Sequence, residues 1–377
     1  MKSRIFILIL LIGFFNQTGF CFPPDAEEPK TLPIGSAAPD FSLKGTDSKT
    51  YTLASFSKNK ILVIIFTCNH CPTAQAYEDR IIQLTNDYVS KSVAVVAVSP
   101  NDPSTVRLDE LGYTDMSDSF EEMKQRASQK KFNFPYLYDG KTQSMAKAYG
   151  PVVTPHVFIF DSKRNLRYQG RIDDVEKPGK TPAHFDTRNA IEELLQNKEV
   201  TTKTTKVFGC SIKWADKKGW VKKGYEEWAK EPVEIELINE AGVRDLLKNN
   251  SGKLRLINVW ATWCGPCLIE FPEFITINRM YRGRDFEFIS ICLDDSARKT
   301  KALKFLQGKQ ASNKNYLFPS DDKYALIEAV DPNWQGALPY TLIVEPGGKI
   351  FYAKQDLIDP PHIKRIIVDH PLIGRYY

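Results

Sequence analysis

The chain has 377 residues, of which 42% are hydrophobic and 26% charged, with a formal net charge of +5. That length points to about two domains rather than one core, and the ordinary composition excludes a disordered, collagenous or polytopic chain. Basic residues are scattered apart from a patch at 213–223 (K-W-A-D-K-K-G-W-V-K-K), which reads as a solvated linker face; neither a basic stripe nor a nucleic-acid module is evident.

In chain order, Lys2 and Arg4 precede an apolar run, Ile5–Phe15, then polar Asn16–Thr18, with Gly19 and Cys21 ahead of a cut before Phe22. A basic, an apolar and a small-residue region in that order predict that 1–21 is an export signal. The apolar run is too short to span a hydrocarbon core of ~30 Å as a helix. Lipidation of Cys21 would make the chain membrane-anchored, but bulky Phe20 stands where a small residue is expected. Without the signal the charge falls by two, from +5 to +3. The expected location is the periplasm or cell envelope, where disulfides persist. Six cysteines remain: Cys68, Cys71, Cys210, Cys264, Cys267 and Cys292. They are too few for a disulfide-stapled scaffold, and four form two C-x-x-C pairs.

The first unit starts near Ile34. A buried strand is predicted over Ile61–Phe66, followed by C-N-H-C and a helix over Ala74–Val89, with apolar residues at helical spacing. A second strand covers 93–98 and a helix about 119–129. T-P-H-V-F-I-F-D (154–161) is a proline-led strand, with Leu166–Gly170 as its hairpin partner. The second unit repeats this order: strand Leu254–Trp260, W-C-G-P-C (263–267), helix Leu268–Tyr281, strand Phe286–Leu293, L-P-Y-T-L-I-V (338–344), the turn P-G-G, strand Ile350–Ala353 and closing helix His362–Asp369. From first cysteine to strand-opening proline the spacing is 87 residues in one unit (155 − 68) and 75 in the other (339 − 264). Such repetition predicts tandem α/β domains, each with a central mixed sheet flanked by helices. The domains expected are 34–200 and 234–377, joined by a linker at 201–233.

A cysteine at the mouth of a helix faces unpaired N–H groups and the positive end of the helix dipole, which stabilise its thiolate. A second cysteine one turn on can resolve a mixed disulfide, and Pro266 is tolerated in the first turn because its missing N–H needs no partner. Structural zinc takes four ligands, and these pairs lie 196 residues apart (264 − 68) in separate repeats, so no metal is expected. The histidines form no ligand cluster and no glycine-rich nucleotide loop occurs. Hence no NADPH or flavin is expected; the redox groups would be Cys68–Cys71 and Cys264–Cys267, and electrons would pass to or from another thiol protein. Cys210, near the domain boundary, is expected to be structural, with a third exchange partner as the alternative reading, and Cys292 is expected to be buried.

The motif W-C-G-P-C with the later L-P-Y-T-L strand resembles the thioredoxin superfamily, and N-V-W-A-T-W-C-G-P-C-L-I-E-F-P (258–272) is similar to its exported TlpA/ResA-like branch. The resemblance implies Cys264 as nucleophile and Cys267 as resolving thiol, tuned by Trp263, Gly265 and Pro266. It implies a cis Pro339 that leaves the backbone of Leu338 free for an extended protein substrate, and an active-site role for Glu270. Residues 34–200 resemble the AhpC/TSA-type redoxins through A-P-D-F-S-L (38–43), F-P-Y-L-Y-D (134–139), T-P-H-V-F-I-F-D and Y-Q-G-R-I-D-D (168–174). Thr154 and Pro155 then take the cis-proline role. That branch includes peroxidases with P-x-x-x-T-x-x-C, but here Thr67 abuts Cys68 and 61–65 hold no proline. The expected function is thiol–disulfide exchange with protein substrates. The alternatives are a thiol peroxidase centred on Cys68 and a client-binding module with a non-catalytic first domain. His70, between the cysteines, reads either as a partly exposed turn residue or as a cation or donor that stabilises the Cys68 thiolate and raises the potential of that couple.

Overall fold

The computed structural model describes residues 29–177, 180–319 and 322–375; the export segment expected at 1–21, with Cys21, lies outside them. The first half contains β1 (Ser42–Gly45), β2 (Thr50–Thr52), β3 (Ile61–Phe66), α1 (Pro72–Tyr88), β4 (Val93–Ser99), α2 (Phe120–Lys130), β5 (Tyr136–Tyr138), α3 (Ser144–Tyr149), β6 (Val153–Thr154), β7 (His156–Phe160), β8 (Leu166–Gly170) and α4 (Asp186–Leu195). Its sheet runs β2-β1-β5-β4-β3-β7-β8, with β3, β4 and β5 parallel and β7 and β8 antiparallel. The aliphatic run of β3 is buried throughout because both faces of the strand are covered. Ile61, Val63 and Ile65 enter one core, and Leu62, Ile64 and Phe66 the other.

After β9 (Cys210–Ser211) and α5 (Lys218–Trp228) come β10 (Glu236–Leu237), α6 (Glu240–Lys248), β11 (Leu254–Trp260), α7 (Gly265–Tyr281), β12 (Phe286–Cys292), α8 (Lys299–Gly308), β13 (Lys314–Leu317), α9 (Lys323–Val330), β14 (Tyr340–Val344), β15 (Ile350–Gln355) and α10 (Pro360–Asp369). The second sheet runs β10-β13-β12-β11-β14-β15, parallel through β11 and antiparallel beyond it. Both halves are therefore mixed α/β layers of the thioredoxin type: a central strand feeds a helix through a C-x-x-C, and a proline-led hairpin closes the sheet.

The stretch read as a solvated linker is partly folded into the molecule. Ile212 and Trp214 join a core of the first domain, and α5 buries Val221 and Trp228 while Lys222 and Lys223 stay exposed. The helical spacing of the buried positions Val221, Gly224 and Trp228 was masked by Lys222 and Lys223 between them. The domains also touch directly. Val106 and Leu111 enter the second domain's core, and the Tyr281 hydroxyl donates to Thr114 O at 2.8 Å. Arg375 donates to Asp115 Oδ1 at 2.8 Å and to Gln75 Oε1 at 3.1 Å.

Candidate active site

In the second domain, Cys264 is the N-cap of α7, and the Cys267 N–H donates to its Sγ at 3.3 Å. Gly265 and Pro266 form the first turn between them. The two cysteines are joined in a disulfide with Cα atoms 5.3 Å apart. Cys264 is 5% and Cys267 0% exposed, whereas Trp263 is 57% exposed beside them. Tyr340 pairs with Val259, so the cis Leu338–Pro339 bond lies at the end of β14 next to the end of β11 that leads to the dithiol.

Glu270, one turn past Cys267, is buried on α7. Its Oε2 accepts from the Ile358 N–H at 3.0 Å and its Oε1 from Asn258 Nδ2 at 3.3 Å. Burial, only partly offset by those two donors, pushes its pKa up to about 7. It can therefore hold or release a proton at neutral pH. Asn258 and Ile358 were not read as site residues; Asn258 interrupts the apolar run at the end of β11, a polar residue that signals a buried partner.

The first domain departs from the expected helix-mouth arrangement. Here the second cysteine, Cys71, is the N-cap of α1 and accepts from the Ala74 N–H at 3.4 Å. Cys68 sits one turn earlier, outside the helix, with Sγ 3.1 Å from Thr154 Oγ1. The physical reason is Pro72: the helix begins there, so the dipole and free N–H groups act on Cys71. Both thiols are buried, at 3% and 0% exposed.

Burial alone would raise the Cys71 thiol. Hydrogen bonds from Cys210 and Cys68, the His70 charge and the Ala74 N–H together hold it well below the ordinary thiol value. The Thr154 carbonyl, 3.2 Å from Cys71 Sγ, accepts from the protonated thiol and opposes ionisation, but the other groups outweigh it. Burial pushes Cys68 up, and hydrogen bonding with Cys71 and the negative charge of Asp118 push it further. The surroundings accordingly favour ionisation of Cys71 over Cys68.

His70 is not in an exposed turn. It is 2% exposed, and its Nδ1 lies 2.5 Å from Asp118 Oδ2. Asp118 Oδ1 accepts the backbone N–H groups of Asn69 and His70 at 2.8 and 3.0 Å, and Oδ2 also accepts from Asn101 Nδ2 at 2.8 Å. Burial would lower the His70 pKa, but the adjacent Asp118 charge raises it. Burial would likewise raise Asp118, yet the His70 charge and these donors lower it. The imidazolium thus supports Cys71 and not, as expected, Cys68. Asp118 escaped the sequence reading because it lies in a polar stretch; the signal available was the S-F-E-E capping box immediately after it, which marks the start of α2.

Cys68, His70 and Asp118 bring possible ligand atoms within 4.8 Å of one another. Both Asp118 oxygens already accept two hydrogen bonds each, from Asn69, His70 and Asn101, while Cys68 bonds to Thr154. Cys292 is buried in β12. Cys210 is part-exposed and packs against Cys68, Cys71 and Ala74; an isolated structural thiol was expected.

Fold and sites together define two dithiol domains of thioredoxin type in one chain. Residues 34–169 match the AhpC/TSA family and residues 235–365 match Redoxin, so the chain carries two tandem redoxin/AhpC-TSA domains. The thiol-disulfide oxidoreductase ResA of Bacillus subtilis is 27% identical over 109 residues, 29% of this chain and 56% of that protein. The chain spans about half the length of the curated relatives it matches first, 45% for a thioredoxin of Coprinus comatus. Among solved structures, an uncharacterized conserved protein of Geobacillus kaustophilus is 36% identical, covering 50% of this chain and 95% of that one with a TM-score of 0.44.

Proposed function

We propose that this chain is an exported thiol–disulfide oxidoreductase with two dithiol centres acting on protein substrates. The observation that carries the reading is the placement of a cysteine at a helix N-terminus in each domain, with its partner one turn away. In the reducing direction the Cys264 thiolate attacks a substrate disulfide, expelling one substrate thiolate and forming a mixed disulfide. Cys267 then attacks Cys264 Sγ, the substrate leaves reduced, and the Cys264–Cys267 disulfide remains. Glu270 exchanges a proton with Cys267 in that second step. The backbone of Leu338, beside Pro339, pairs with the extended substrate, and Trp263 offers an exposed apolar contact.

In the first domain Cys71 is the attacking thiolate and Cys68 its resolving partner. A raised Cys68 is the opposite of what peroxide attack requires, which weighs for exchange over peroxidase chemistry. Export rests on the composition of 1–21, and among the described residues no helix is long and apolar enough to cross a membrane.

The test is trapping in cells with single serine variants. Cys267→Ser should accumulate partners disulfide-bonded to Cys264, and Cys68→Ser should leave Cys71 held in a disulfide with another thiol. If neither variant forms mixed disulfides while the wild type turns over hydrogen peroxide through Cys68, the proposal fails in favour of a peroxidase. Client binding undiminished by replacing Cys68 and Cys71 together would instead leave the first domain a binding module.

A further inference from the structure

The edge of the first domain beside Pro155, where a substrate strand would lie, is already occupied by the chain itself. β9 pairs antiparallel with β6, with Cys210 opposite Thr154 and Ser211 opposite Val153. The segment is held on both sides. Before it, Gln169 N–H donates to Lys203 O at 3.0 Å and Thr205 N–H to Gln169 O at 3.2 Å. After it, Lys213 N–H donates to Asn101 Oδ1 at 2.9 Å, and Gln143 Nε2 to Lys213 O at 2.9 Å. Gly209 allows the close approach: a Cβ there would meet Thr154 O at 2.0 Å, and its φ of +145° disfavours any side chain.

This strand brings a third thiol to the pair. Cys210 packs in one cluster with Cys68, Cys71 and Ala74. The two C-x-x-C thiols are 3% and 0% exposed, whereas Cys210 is part-exposed. Of the three sulfurs, Cys210 is therefore the most accessible to a protein thiol from outside. The hydrogen bond that Cys210 makes to Cys71 keeps its own proton on, alongside burial, so it acts as donor to the Cys71 thiolate in the reduced state.

We propose that Cys210 is a third redox thiol of the first domain, a resident substrate-like residue through which the buried Cys68/Cys71 pair exchanges with an external protein dithiol. This rests on the reading of that pair as a dithiol centre. Starting from the Cys68–Cys71 disulfide, the Cys210 sulfur attacks Cys71 Sγ. The Cys71–Cys210 bond forms, the Cys68–Cys71 bond breaks, and Cys68 leaves as a thiolate that takes up the proton lost by Cys210. No electron leaves the chain in this step. One thiol of the external protein then attacks Cys210 Sγ, and Cys71 leaves as its thiolate. The partner's second thiol completes the exchange, so that the partner dithiol is oxidised and Cys71 and Cys210 are reduced.

The test uses the full chain carrying Cys68→Ser, equilibrated in a glutathione redox buffer and mapped by mass spectrometry of non-reduced peptides. The expected product is a Cys71–Cys210 disulfide. A Cys71–glutathione adduct with free Cys210 overturns the proposal and leaves Cys71 a reactive thiol; an unmodified Cys71 overturns both the proposal and the dithiol reading. In the chain with Cys68 and Cys71 intact, Cys210→Ser should slow reduction of their disulfide by a small protein dithiol about tenfold or more, since the direct path is hindered by burial. A rate unchanged or faster would mean that the strand only covers the site, and the proposal falls.

Discussion

Replacing Asp118 with asparagine tests the electrostatic core of the first site. The carboxylate is fully buried and accepts four hydrogen bonds, one of them from His70 at 2.5 Å. Asparagine Oδ1 can keep the two backbone N–H bonds. Its amide would then face Asn101 Nδ2, and Asn101 cannot simply turn over because its Oδ1 is held by the Lys213 N–H. The variant therefore loses the ion pair and one further bond, and breaking a buried pair costs about 3–5 kcal/mol. For a unit of this size that corresponds to a fall in melting temperature of roughly 6–20 °C.

The pH dependence gives a second readout. His70 titrates above its ordinary 6.5 in the folded chain. Its contribution is thus complete below that value and is lost as pH rises through the raised one. Asp118 titrates below its ordinary 3.8, so its contribution is complete above 3.8 and is lost as pH falls through the depressed value. The pair is worth most between these limits, and Asp118→Asn should abolish that maximum. Without the imidazolium, the Cys71 thiolate should also form at higher pH, measured as the pH profile of alkylation at the Cys71 peptide. If denaturant melts of the variant fall within about 1 kcal/mol of wild type, well under the cost of a broken buried pair, and the Cys71 profile is unmoved, the reasoning is refuted.

Other outcomes follow from the same geometry. Glu270→Gln should flatten the pH dependence of substrate release near neutrality, read by stopped-flow kinetics of the second exchange step. Because the Glu270 pKa is raised from 4.5 to about 7, wild-type stability should fall between those values as pH rises. The variant should then be the more stable at pH above that window by up to about 3 kcal/mol, at 1.36 kcal/mol per pKa unit, as calorimetry can check. Arg375→Ala removes a partner of buried Asp115 and the link to Gln75; calorimetry should show the two domains melting separately, and one unchanged transition would contradict the docking role. The donors around Cys71 predict a higher potential for Cys68/Cys71 than for Cys264/Cys267, each tenfold bias toward the dithiol reading as about 30 mV. Equal or inverted values against glutathione would remove that prediction.

The sequence by itself determined the architecture and where the sulfur pairs fall within it. Six consecutive buried positions in β3, the repeated order of strand, C-x-x-C, helix and proline-led hairpin, and the residue types at 263–267 are all local signals, set by periodicity and by what a helix start tolerates. The position of Glu270 was legible too, because helical spacing places it one turn beyond Cys267, though only the family resemblance suggested a role for it. Which cysteine of the first pair ionises was decided only in three dimensions. Pro72 starts α1 at Cys71, and Asp118, 48 residues beyond His70, turns that histidine inward and holds it charged. The sequence left Cys210 open between a structural thiol and an exchange partner for the same reason: 83 residues separate Cys71 from Thr154, and only pairing of β9 with β6 brings a thiol from the interdomain segment onto that edge. Local pattern specifies elements and reactive residue types, whereas pKa order and access depend on charges and surfaces delivered from distant segments. F-T-C-N-H-C-P thus marked two thiols at a strand-to-helix junction, and the tertiary structure put its second cysteine, not its first, at the helix N-cap.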